Sequence, residues 1–251
     1  MFIDTHCHLS KKDYNDITKV VEEAKKAEVE KIIISGCTRE DLDETMEIIN
    51  TYPEVYATIG YHPEEAEGII DIDLQKLEKL LLNNKIVGIG EIGLDYHYST
   101  ENKEKQKELF EKQLNLAEKY NLPVVIHTRE ATNDTITILK KYKVKVIIHC
   151  FSGSYETACQ YIKMGYLLGI GGVITFKNCH LKDTVKQLNL ENIVLETDSP
   201  YLSPVPYRGK INTSKNIPII AEFIANELNL DINIIANKTT KNALSLFTKL
   251  H

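Results

Sequence analysis

Two histidines stand two residues apart near the start of the chain, His6 and His8, and four further candidate ligands recur at wide intervals: Glu91, His127, His149 and Asp198. Imidazole nitrogens and carboxylate oxygens together suit Zn2+, Mn2+ or Fe2+, and substrate oxygens also recruit Mg2+ to such a site. In an extended strand side chains repeat with a period of two, so His6 and His8 point to the same side. Two imidazoles on one wall make half of a metal site. Glu91 and Asp198 can ligate or bridge, and His127 with His149 supplies the other half. Two divalent ions about 4 Å apart would acidify a bridging water and hold the attacking and leaving oxygens of an in-line displacement. Taken singly the residues are weak signals: a His-x-His pair is more often surface or core, and an acid at a strand end more often caps the next helix. Their joint placement carries the reading.

That placement follows from eight short apolar runs, over residues 2–5, 31–36, 55–60, 86–90, 123–126, 145–148, 166–171 and 192–197. The runs are β-branched and continuous rather than alternating, as parallel strands buried on both faces are. Charged amphipathic segments lie between them. Residues 18–28 carry Val20, Val21, Ala24 and Ala27 on one face, and 104–120, 183–190 and 216–228 behave similarly. Eight evenly spaced units predict an α/β fold, a (β/α)8 TIM barrel forming one domain over residues 1–251; a doubly wound open sheet fits that spacing less well. His6 and His8 follow the first run, His62 the third, Glu91 the fourth, His127 the fifth, His149 the sixth and Asp198 the eighth. In a barrel all of these positions lie on the carboxyl-end rim, where active sites are built.

The bulk properties limit the alternatives. With 43% hydrophobic and 26% charged residues the chain reads as a soluble globular protein. No apolar run approaches a membrane span and no leader is visible after Met1, so a cytoplasmic protein is expected, with no membrane partner. Five cysteines without a Cys-x-x-Cys pair indicate neither a disulfide framework nor a thiolate zinc site. A net charge of −6 argues against long DNA held by backbone neutralisation, but not against a pocket that grips one strand end through bound cations. No exposed heptad suggests a partner chain, which makes a monomer the default.

With these residues in place, the chain resembles the TatD family of metal-dependent deoxyribonucleases from end to end. The matching stretches are FIDTHCHL at 2–9, GYHP at 60–63, GIGEIGLDY at 88–96, LPVVIHTR at 122–129, HCFSG at 149–153, ETDSPYL at 196–202 and PYRGK at 206–210, with Asn242-Ala243 and Leu246-Phe247 in the closing helix. The resemblance implies a TIM-barrel phosphodiesterase with two divalent ions (Mg2+, Mn2+ or Zn2+). His6, His8, Glu91 and Asp198 would hold one ion; Glu91, His127 and His149 would hold the second. Glu91 would bridge, in the place of the carboxylated lysine of many amidohydrolases, and Asp198 would orient the attacking water and take its proton. The chain departs from the family after Lys210: the usual Asn-Glu-Pro is replaced by Ile211-Asn212-Thr213-Ser214, which keeps only the asparagine. That departure bears on the loop after the eighth strand, not on the ligands.

Four residues are candidate substrate contacts. His62 would hydrogen-bond the scissile phosphate, or else serve as a turn residue before Pro63. Arg129 and Arg208 are candidate bidentate phosphate clamps, or partners of nearby carboxylates. Tyr201 would stack on a base or ribose, or pack under its loop. The expected function is a 3′–5′ exonuclease on single-stranded DNA, with RNA strand ends as a further possible partner. Metal-activated water attacks carbonyl carbon as readily as phosphorus, so a D-aminoacyl-tRNA deacylase or another ester or amide hydrolase on the same site is the alternative. A non-catalytic scaffold is disfavoured by the complete ligand set.

Overall fold

The runs become eight strands, and a computed structural model describes residues 1–98 and 100–250. The strands are β1 (Phe2–Cys7), β2 (Val29–Gly36), β3 (Val55–Ile59), β4 (Ile86–Asp95), β5 (Val124–Arg129), β6 (Val146–Ile148), β7 (Leu167–Ile170) and β8 (Ile193–Leu195). All neighbouring pairs are parallel and in sequence order. The ring is completed without a regular ladder: Thr197 N and Asp198 N donate to His6 O, and Thr5 Oγ1 donates to Leu195 O. The result is the expected (β/α)8 barrel.

Helices cover its outside: α1 (Ile17–Lys26), α2 (Leu42–Thr51), α3 (Asp71–Leu80), α4 (Lys103–Tyr120), α5 (Thr132–Leu139), α6 (Tyr155–Lys163), α7 (Leu181–Val185), α8 (Ile217–Leu228) and α9 (Ile232–Leu246). Polar side chains start several of them. Asp16 accepts from Lys19 N and Ser154 from Thr157 N, each satisfying an amide that lacks an intrahelical partner. α4 and α8 end on Asn121 and Asn229 in the left-handed conformation that asparagine tolerates. The stretch expected to be helical over 183–190 is corrected by the structure: α7 ends at Val185, and turns carry the chain to β8. Among the described residues no helix is long and apolar enough to cross a membrane.

The continuity of the apolar runs has a simple cause. Ile3, Ile33, Tyr56, Val87, Val125, Ile147, Leu167 and Val194, one from each strand, pack together inside the barrel. Their sequence neighbours, such as Ile32, Ile34, Val124, Ile126, Val146 and Ile148, pack outward against the helices. Alternate residues thus bury opposite faces, and both must be apolar. The amino-end opening is plugged by α9 and the residues after it, through Ala243, Leu246, Phe247 and Leu250. The carboxyl end carries the polar residues.

Candidate active site

Strand periodicity aims the ligands inward. Val125 and Ile147 face the interior, so His127 and His149, two residues on, do too. β4 runs five residues past the apolar run that predicts it, and Ile92 and Leu94 pack outside. Glu91 and Asp95 therefore project inside. On β1 simple alternation from Ile3 would turn His6 outward, but a register irregularity between Asp4 and Cys7 shifts the phase. Asp4, fully buried, fixes this join of β1 to β8 by accepting from Thr197 N (3.0 Å) and Thr197 Oγ1 (2.6 Å). Burial pushes its carboxyl up to about 7 against those donors.

Glu91 sits at the centre of the cluster, 4% exposed. Its Oε2 faces His6 Nε2 at 3.5 Å and His8 Nε2 at 3.9 Å. Its Oε1 faces His127 Nδ1 at 2.7 Å, His149 Nε2 at 3.0 Å and His62 Nε2 at 3.8 Å. Asp198 Oδ1 closes the first side, 3.7 Å from His6 Nε2 and 3.6 Å from His8 Nε2. Burial alone would raise the Glu91 carboxyl; the surrounding histidines, His149 foremost, outweigh it and hold the group well below the usual carboxylate range.

The residues fit a divalent cation. Three sets offer ligand atoms within 4.8 Å of one another: His6, His149 and Asp198; His6, His8 and Glu91; and His62, Glu91 and His127. Both ring nitrogens of buried His6 have no hydrogen-bond partner among the described residues. A donor atom left so is costly. Separations of 3.5–3.9 Å between nitrogen and carboxylate oxygen are too long for a hydrogen bond and suit atoms that share a cation.

The structure brings all six expected ligands together, and the groupings differ from the expectation in one respect. His62 stands with Glu91 and His127, while His149 is grouped with His6 and Asp198, although its Nε2 also reaches Glu91. His62 is at once a turn residue: its Nδ1 accepts from Glu64 N at 3.3 Å, and burial pushes it down to about 4. The other substrate candidates lie on the rim. Arg129 ends β5 with its guanidinium 5.2 Å from the Tyr98 ring, and Nη1 donates to Tyr98 Oη at 3.3 Å. Arg208 lies on the exposed loop after β8, 3.8 Å over the Phe176 ring. Neither arginine forms an ion pair with a carboxylate among the described residues. Tyr201 is 60% exposed, its ring 6.3 Å from that of His8. His97 and His180 are exposed at the surface, His97 bonded to Glu130, and His251 lies outside the described residues.

Two acids that sequence reasoning left without a role stand behind the cluster. Asp95 Oδ2 lies 2.8 Å from His127 Nε2, so His127 is held between two carboxylates. Glu196, fully buried, accepts from Cys150 N at 2.6 Å and faces His149 Nδ1 at 3.5 Å. Carboxylates in these positions fix the orientation of a ligating imidazole. Asp95 is four residues beyond Glu91, which places it on the same strand face; extending the fourth strand through Gly93 would have found it.

The pattern of the family described as TatD related DNase matches residues 3–248. The chain belongs to the TatD family. A TatD relative in Bacillus subtilis (strain 168), the uncharacterized metal-dependent hydrolase YabD, is 42% identical over 252 residues, covering 98% of this chain and 99% of that protein. Another, YcfH of Escherichia coli (strain K12), also an uncharacterized metal-dependent hydrolase, is 32% identical over 253 residues, covering 98% and 95%. Among solved structures, the TatD homologue YJJV from Escherichia coli K12 superposes with a TM-score of 0.91 at 30% identity, covering 98% of each chain. A TatD family hydrolase from Entamoeba histolytica gives 0.87 at 26% identity, covering 99% of this chain and 98% of that one. The protein is a TatD-family metal-dependent hydrolase on a (β/α)8 barrel.

Proposed function

We propose that this TatD protein is a deoxyribonuclease that trims single-stranded DNA from its 3′ end, with two divalent ions that the residues around Glu91 would hold. The observation that carries the reading is the division of that carboxylate, with Oε2 toward His6 and His8 and Oε1 toward His62, His127 and His149. His6, His8, Glu91 and Asp198 would hold one ion, and Glu91, His127 and His149, with His62 beside them, the other. When bound, such ions supply fixed positive charge for the phosphoryl oxygens and acidify water.

The chain's own groups do the rest. Asp198, beside His6 and His8, orients the attacking water and accepts its proton. Asp95 and Glu196 hold the His127 and His149 rings so that their ligating nitrogens stay aimed at the centre. Tyr201 and Arg129 flank the opening, offering a stacking face and a guanidinium to the nucleotide on either side of the scissile phosphate. A net charge of −6 is compatible with this, because strand ends need only a small footprint.

The test is a denaturing-gel time course on a 5′-labelled single-stranded oligonucleotide with Mg2+ or Mn2+. The expected pattern is a ladder shortening from the 3′ end, abolished by chelator and by Asp198→Asn. Products of internal cleavage would refute the exonuclease mode.

A further inference from the structure

Beside His8 lies a groove that the metal cluster does not account for. Its volume is about 390 Å3, enough for one nucleoside but not for a run of them. One wall is the loop after β1, with Ser10, Lys12 and Asp13; the other is the loop after β2 and the start of α2, with Glu40, Asp41 and Glu44. It adjoins the cluster through His8, with Tyr201 at the same edge.

Two features of the groove are unusual for a protein that handles a polyanion. The first is charge. Four carboxylates face a single lysine, and none of the four is ion-paired with a lysine or arginine among the described residues. Asp41 accepts from Thr38 N and Cys37 N, Asp13 from Ser10 Oγ, and Glu44 from Lys11 N, bonds that hold the loops without a cationic side chain. The second is Ser35. It is 5% exposed, lines the groove, and its hydroxyl has no hydrogen-bond partner among the described residues. Ile33 faces the barrel interior, so Ser35, two residues on, lies on the same face of β2. A buried hydroxyl of this kind is satisfied when a ligand brings a polar atom to it.

The opposite side of the barrel differs. Between the ends of β5 and β6, four strands away, a groove of about 230 Å3 adjoins His149 and is lined by Thr128, Arg129, Glu130 and Ser152. There one guanidinium offsets one carboxylate. A strand running away from a scissile phosphate carries a charge at every linkage and would meet less repulsion on that side. The acidic groove would suit the part of such a substrate that carries no further phosphate, which is the terminal nucleoside.

We propose that the groove between the β1 and β2 loops seats the terminal nucleoside of the strand being cut, and that its carboxylates select ends with a free 3′-hydroxyl over ends with a 3′-phosphate. The inference rests on the nuclease reading above. Ser35 gives the nucleoside a hydrogen-bond partner, and a phosphate in its place would meet Asp13, Glu40, Asp41 and Glu44 at close range, where like charges exclude a ligand.

The experiment compares two single-stranded oligonucleotides, 5′-labelled and identical except for a 3′-hydroxyl or a 3′-phosphate, with the Mn2+-loaded protein. The phosphorylated end is expected to lose its first nucleotide more slowly by roughly 30-fold or more. In the double variant Glu40→Gln/Glu44→Gln the ratio of the two rates moves toward unity by roughly tenfold. Ser35→Ala raises KM for the hydroxyl end more than it lowers kcat. Equal rates on the two ends in the wild-type protein, or a ratio that the double variant does not move, would overturn the proposal and leave the nuclease reading standing. Cleavage of neither end would overturn both.

Discussion

At the scale of single residues, Glu91 and the two carboxylates behind the histidines decide what the site can do. Asp95 fixes His127 from the side away from Glu91, with its oxygen 2.8 Å from Nε2. Asp95→Asn keeps the shape but gives up the charge that holds the ring; metal affinity and kcat are expected to fall by about 10- to 100-fold. Titration of the apoprotein with Mn2+, read beside the rate, checks this, since a merely structural residue would change stability and not affinity. The histidines were legible in the sequence because each stands just past an apolar run. Asp95 was not, because glycines at 88, 90 and 93 make the fourth run seem to stop before it. Glu196 was hidden for the opposite reason: it reads as the tail of a strand, and only the fold brings it to His149 and Cys150.

At the scale of elements, small residues and one asparagine keep the strand ends in place. A Cβ added at Gly169 would lie 2.1 Å from Glu196 Oε2. Gly169→Ala therefore displaces the carboxylate that holds Cys150 N, and a loss of about 1–3 kcal/mol in urea denaturation is expected together with reduced activity. The loop after β8, where the chain departs from the family, hangs on Asn212. Its buried Nδ2 donates to Thr197 O at 2.9 Å and Tyr201 O at 2.8 Å, and its Oδ1 accepts from Asn216 Nδ2 at 2.8 Å. Thus the one residue retained from the family's Asn-Glu-Pro is the one that ties the loop to the segment just after β8. Asn212→Ala leaves the buried Thr197 carbonyl and the partly buried Tyr201 carbonyl with one partner fewer each; it is expected to cost about 1–3 kcal/mol and to lower kcat/KM by loosening the neighbourhood of Asp198. The strands were legible as apolar runs because both of their faces are buried. The phase shift in β1 was not, since it depends on Asp4 meeting Thr197 far along the chain. The end of α7 was placed too late because the polar residues after Val185 continue a helical pattern that turns interrupt.

At the scale of the molecule, the barrel separates stability from chemistry. The amino end is closed by an apolar plug in which Phe247 is fully buried beside the inward residues of all eight strands. Phe247→Ala is expected to cost about 3–5 kcal/mol in unfolding free energy, measured in urea, while the folded fraction keeps its rate per site. The carboxyl end, by contrast, gathers buried histidines and acids whose ligand atoms converge closely enough to hold a cation. The regular spacing of the runs disclosed the barrel because each βα unit repeats one pattern. Substrate contacts were less legible, because Arg129, Arg208 and Tyr201 sit on rim loops whose course no periodicity records. The central role of Glu91 is tested most directly by comparing the wild-type protein with Glu91→Gln, measuring bound metal after dialysis and the rate on single-stranded DNA in the same preparations. Two divalent ions per chain and 3′-end cleavage are expected in the wild type, with fewer ions and a rate lower by roughly 10^3-fold or more in the variant. A Glu91→Gln protein that keeps both ions and the wild-type rate would contradict the central role of Glu91. A metal-loaded wild type that leaves DNA intact would contradict the assignment as a nuclease.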